Sequence, residues 1–125
     1  MKVDAIATAE VVGALRAAGA SFALVFGSHA RGSATASSDL DVGAWWPHSA
    51  PLPWTIDLPG GVDLVDVSRV PLELAGRIAC EGLVLFDDDP PARVRWVATT
   101  RKIWLDEKHR FQRSHREFLE AQARG

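Results

Sequence analysis

A lone cysteine, Cys80, leaves this chain without an internal disulfide. One thiol fits a reducing compartment and a small buried side chain. Long hydrophobic runs are missing as well. The longest are four to five residues, far short of the ~20 needed to cross a bilayer. The first residues carry one lysine and no apolar run of signal-peptide length, so a soluble cytoplasmic protein is expected and a membrane partner is not. Internal repeats and low-complexity segments are also absent.

What is present suits one compact domain: 125 residues, 47% of them hydrophobic, enough for a core. The net charge of −2 is unevenly spread. Residues 1–92 hold 5 Lys+Arg against 12 Asp+Glu, a net −7, and residues 93–125 hold 9 against 4, a net +5. An acidic body with a basic tail suggests a charged contact made by the tail, or simply a solvated helix face. The tail's charges are interleaved with acids and lack an aromatic stacking platform, so direct nucleic-acid binding is not expected.

The pattern along the chain alternates helix and strand. A helix is expected over 4–18, capped by Asp4, ended by Gly19 and apolar along Ile6, Val11, Val12 and Leu15. The run SFALVF (21–26) reads as a strand buried on both faces, DLDVGAWW (39–46) as a second strand and VDLVDV (62–67) as a third. Residues 47–61 carry four prolines and read as a long connection, with a short edge strand at 54–58. A helix over 72–81 follows Pro71, then a short strand LVLF (83–86) and an acidic turn, DDDPP (87–91), that caps the next helix. From residue 92 the pattern is helical, with Val97, Trp104, Phe111 and Phe118 recurring every seven residues on one stripe. A helix of about 30 residues would run ~45 Å, longer than such a domain is wide. It must break or project, and a projecting aromatic stripe flanked by arginines is a candidate partner surface. The five tryptophans are expected mainly as core and interface anchors. The fold class is α/β (α+β), a small mixed sheet with flanking helices and a long C-terminal helix.

Chemistry concentrates in GSHARGSATASSDLDVG (27–43). Gly27 lets backbone approach a ligand. Ser28 offers a hydroxyl and an amide, a helical turn over 28–31 would aim free N–H groups at an anion, and Arg31 suits phosphate oxygens. Gly32 and the polar run that follows return the chain to a strand as a linker with no role of its own. There, Asp39 and Asp41 share one face. Magnesium takes oxygen ligands and is commonly held by one or two carboxylates plus substrate phosphates. Without a cation the two acids would repel. A third carboxylate is available from VDLVDV. Asp63 and Asp66 have opposite parity, so only one can face the site, and parity alone does not choose. Such a combination suits nucleotidyl transfer, where cations neutralise a triphosphate and activate the attacking oxygen.

Gly27-Ser28, ten residues, then Asp39-Leu40-Asp41 resembles the signature of the polymerase-β-like nucleotidyltransferase superfamily. With VDLVDV, a short helix and EGLVLF following, residues 21–86 look like the minimal nucleotidyltransferases, and the C-terminal helix resembles, less specifically, their antitoxin branch. The resemblance implies a single domain over 1–125, with a catalytic core at about 4–88 and a helix at about 91–122. It implies ATP as substrate, its phosphates held by Gly27 and Ser28 with Arg31 as a phosphate or structural anchor. It also implies two Mg²⁺ ions on Asp39, Asp41 and the third-strand acid, Asp63 in preference to Asp66, with Asp63 helping to take a proton. His29 falls where the family varies and is expected to be an exposed side chain, not a general base. The implied partner is a HEPN RNase toxin, met through the C-terminal helix and the active-site face, in a homo- or hetero-oligomer. The implied function is that of an antitoxin enzyme, a protein adenylyltransferase that moves AMP from ATP to a toxin tyrosine. A small-molecule nucleotidyltransferase and an antitoxin acting by binding alone are the alternatives. Small-molecule relatives usually carry an extra helical domain for the acceptor; with one helix after the core here, the acceptor surface is expected to belong to another protein.

Overall fold

The structure is a computed structural model that describes residues 5–35 and 37–124, with side chains from residue 7 onward. The Asp4 cap and the place of Ile6 on the apolar face lie outside it. Helix α1 (Ala5–Ala17) leads into strand β1 (Phe22–Phe26), a one-turn helix α2 (Ser28–Arg31) and strand β2 (Leu40–Trp45). Strand β3 (Val62–Asp66), helix α3 (Leu72–Glu81), strand β4 (Leu83–Asp87) and helix α4 (Pro90–Arg124) complete the order. The sheet order is β3-β2-β1-β4. β1 is antiparallel to β2 and to β4, while β2 and β3 are parallel. As expected from its unbroken apolar run, β1 is central.

Side-chain parity sorts the core into two layers. On one face Ala23, Val42, Ala44 and Phe86 pack beneath Val11 and Leu15 of α1. On the other, Phe22, Leu24 and Val67 meet Ile78 of α3 and Ala92, Trp96 and Val97 of α4. Gly43 lies on this second face, where a Cβ would stand 2.7 Å from Val67 Cγ1 and 3.4 Å from Ile78 Cδ1. A glycine here lets α3 settle close to the sheet. Gly19, at φ 91°, ends α1 in the left-handed conformation, and the Ala20 N–H donates to the Leu15 carbonyl at 3.0 Å.

The tryptophans mostly anchor the core. Trp46 is buried and donates its indole N–H to the Ala18 carbonyl at 3.1 Å. Trp45 stacks on Phe22 with ring centroids 5.3 Å apart, and Trp104 packs over Gly76 of α3. Trp54 is the exception at 79% exposure. Its segment is not the expected edge strand but a 3-10 turn, Pro53–Thr55. Pro53 presets a helical φ and the Thr55 hydroxyl donates to the Leu52 carbonyl, so the chain bends where a strand would extend. Cys80 is exposed, not buried. Its neighbours Ile78 and Ala79 take the inward positions of α3.

The acidic turn does cap the last helix: the Ala92 N–H donates to Asp89 Oδ1 at 3.2 Å. Asp87 pairs with Arg93 and Asp88 with Arg16 at 2.8 Å. Helix α4 then continues for 35 residues, ~52 Å at 1.5 Å per residue. It does not break. Arg101 Nε donates to the Ala79 carbonyl at 2.6 Å, and beyond Trp104 every described residue is exposed. Among the described residues no helix is long and apolar enough to cross a membrane.

Candidate active site

Strand β1 delivers the chain to Gly27, which adopts φ 72° and ψ −149°, a region open essentially to glycine. A Cβ there would run into the Asp41 carboxylate. The turn at the end of β1 and the acid on β2 are therefore in contact, as the register dictates: Phe26 is the cross-strand partner of Asp41. The next four residues form α2, closed when the Arg31 N–H donates to the Gly27 carbonyl at 3.1 Å and the Ser33 N–H to Ser28 at 2.9 Å. The first amides of such a turn have no intrahelical acceptor. Ser28 opens the turn beside Asp41. Arg31 is exposed and lies 3.8 Å from Glu81 of α3.

The register of β2 against β3 separates the two third-strand acids. Asp63 is paired with Asp41, and Asp66 with Ala44. In a parallel pair, partners point to the same side, so Asp63 stands next to Asp41 on the α3 face. Asp66 belongs to the opposite face. There it accepts the Ser68 N–H at 2.9 Å and lies 3.6 Å from Arg69, a turn-closing role.

Asp39 does not share the strand as expected. The ladder begins at Leu40, so Asp39 sits at the strand's entrance and is exposed. Parity therefore does not hold its carboxylate beside that of Asp41. Among the described residues no three His, Cys, Asp or Glu side chains converge as a ready-made metal cage. The electrostatics nevertheless join them. Burial pushes the Asp41 carboxyl above the usual carboxylate range, and the charges of Asp63 and then Asp39 push it further, against the opposing pull of His29 and Arg31. Like-charged oxygen donors at one sheet end fit a hard divalent cation, which commonly takes one or two carboxylates and completes its shell with substrate oxygens.

His29 is half-buried, not exposed as expected, because α2 folds back over the approach to β2 and sets the ring against Ser38. Residue-type reasoning gave no signal for that contact.

No protein-family model and no curated protein matches the sequence. Solved structures do. A chain of a toxin–antitoxin structure with AMP-PNP superposes with a TM-score of 0.72 at 17% identity, covering 90% of this chain and 98% of that one. The toxin–antitoxin MntA–HepT gives 0.69 at 15%, covering 93% and 99%. A tri-AMPylated Shewanella oneidensis HEPN toxin in complex with its MNT antitoxin gives 0.68 at 15%, covering 91% and 97%. The chain has the minimal nucleotidyltransferase (MNT) fold. Within that fold the Gly27 turn, Asp41 and Asp63 occupy one end of the sheet.

Proposed function

We propose that this chain is the antitoxin of a toxin–antitoxin pair and acts as a Mg²⁺-dependent protein adenylyltransferase, moving AMP from ATP to a tyrosine of a HEPN-type RNase toxin. The observation that carries the reading is the meeting of three elements: Asp63 in register with Asp41, Asp41 in contact with the Gly27 turn, and Asp39 within its electrostatic reach. Support for the partner class comes from the MNT fold, found in complexes with HEPN toxin, one of them AMPylated. The chain has no tyrosine of its own, so a tyrosyl acceptor must arrive on another molecule.

In the proposed reaction the amides of Gly27 and Ser28 hold the triphosphate, with Arg31 adding positive charge. Asp39, Asp41 and Asp63 would hold two magnesium ions, which when bound neutralise the triphosphate and favour ionisation of the acceptor. The tyrosyl oxygen forms a bond to the α-phosphorus and the bond to the bridging oxygen of the β-phosphate breaks. Asp63 takes the phenolic proton and pyrophosphate departs with its electron pair. The tail of α4 and the active-site face would meet the toxin.

The deciding experiment pairs the chain with its genomic neighbour. Asp39→Ala with Asp41→Ala should abolish transfer of labelled AMP and, in cells, neutralisation, while leaving complex formation intact. Retained neutralisation would instead indicate an antitoxin that works by binding alone, a reading to which the exposed α4 stripe lends some weight. Labelling of small molecules and not of the neighbour would indicate a small-molecule nucleotidyltransferase.

A further inference from the structure

Between α2 and Asp39, where a linker with no role of its own is expected, Thr35, Ser37 and Ser38 are laced by hydrogen bonds. The Thr35 N–H donates to Ser38 Oγ at 2.9 Å, and the Ser38 N–H to the Thr35 carbonyl at 3.1 Å. Thr35 Oγ1 lies 3.2 Å from the hydroxyls of Ser37 and Ser38. One contact ties this turn to α2: His29 Nε2 lies 3.3 Å from the Ser38 carbonyl oxygen, in a half-buried position. A carbonyl oxygen only accepts, so the imidazole proton resides on Nε2. Ser38 directly precedes Asp39. One residue further, the Leu40 N–H donates to the Gly61 carbonyl at 2.7 Å, at the foot of the strand that carries Asp63. The turn after Gly27 is thus tied to the residue before Asp39, and the residue after Asp39 to the foot of β3.

We propose that His29 is a positioning residue, a latch that holds the Gly27–Arg31 turn at a fixed offset from Asp39 so that the phosphate-facing amides and the carboxylates engage one triphosphate together. The role rests on the reading of this site as a nucleotide site. Its physical basis is preorganisation. Two half-sites on a loose loop must be ordered when the ligand binds, and that entropy is lost from the affinity. Two half-sites already latched avoid the loss.

The test uses the full chain with His29→Ala, His29→Asn and His29→Gln. The glutamine amide nitrogen lies as many bonds from Cβ as Nε2 does, and that of asparagine is one bond short. His29→Ala and His29→Asn should speed amide hydrogen exchange across residues 33–40 and weaken binding of ATP with magnesium, measured calorimetrically, by about three- to tenfold. His29→Gln should restore both, with the urea midpoint of all three near wild type. Unchanged exchange in the alanine variant, or no rescue by glutamine, overturns the latch. Faster exchange with unchanged ATP affinity overturns the positioning role and leaves a purely structural contact. A wild-type chain that binds no ATP with magnesium overturns the nucleotide reading and the positioning role with it. The exchange data, which need no nucleotide, keep that failure distinct from failure of the latch.

Discussion

Gly27 has no room for a side chain, because its backbone is left-handed and the Asp41 carboxylate fills the space a Cβ would take. Gly27→Ala should destabilise the chain by roughly 1–3 kcal/mol through backbone strain. It should lower the proposed nucleotidyl transfer by about a hundredfold as Asp41 is displaced. Thermal melts and labelled-AMP transfer check the two effects, and an unaltered transfer rate would exclude the close approach. Asp41 itself carries a cost. Its carboxyl is raised by burial and by Asp63 and Asp39, so the native state binds more protons than the unfolded one as that group titrates. Stability therefore falls as pH rises through the window between the ordinary carboxylate range and the raised value. With a chelator present, Asp41→Asn should be more stable than wild type at neutral pH, by roughly 0.5 kcal/mol as for a relieved like-charge pair. The advantage should vanish in acid. Added magnesium should stabilise wild type more than the variant. Urea titrations at several pH values read all three outcomes.

At the scale of elements, the seating of α4 on α3 depends on an absent side chain. A Cβ on Gly76 would stand 2.7 Å from Trp104 Cβ and closer still to the indole ring. Gly76→Ala should cost about 1–3 kcal/mol by overpacking, read as a lower urea midpoint, and a second change, Trp104→Leu, should recover part of the loss. An unshifted midpoint would mean that α4 does not rest there. Most elements were legible in the sequence because their signals are local: the apolar run of β1, Pro71 before α3, and the acidic turn that caps α4. Over 54–58 the alternation of Trp54, Ile56 and Leu58 imitates a strand, while Pro53 and a Thr55 side-chain bond bend the chain. The D-x-D pattern suits a strand through Asp39, yet pairing with β3 starts a residue later.

Taken whole, the molecule is a three-layer body from which the end of α4 extends. Phe111 and Phe118 are 71% and 59% exposed, on the same stripe whose first half, Val97 and Trp104, is seated on the body. Most helical stability in a protein comes from packing of an amphipathic face, so a partner that covers the stripe would stabilise it. Phe111→Glu with Phe118→Glu should change stability by less than about 0.5 kcal/mol, as for surface positions, and should weaken binding of the proposed toxin partner at least about tenfold if the stripe holds an anchor pair. Unchanged affinity in a pull-down titration would place the interface elsewhere on the chain.

The sequence by itself determined the order of elements, the mixed α/β class, the glycine turn followed by paired acids, and the seven-residue stripe. All of these follow from local spacing and residue chemistry. Tertiary structure set Asp63, which the family resemblance had implied in preference to Asp66, beside Asp41, since parity does not separate the two acids until β3 is laid in register beside β2. It also decided that α4 runs unbroken past the body and that the polar segment before Asp39 is laced to His29. Each of these depends on contacts between residues whose relative placement the chain acquires only on folding.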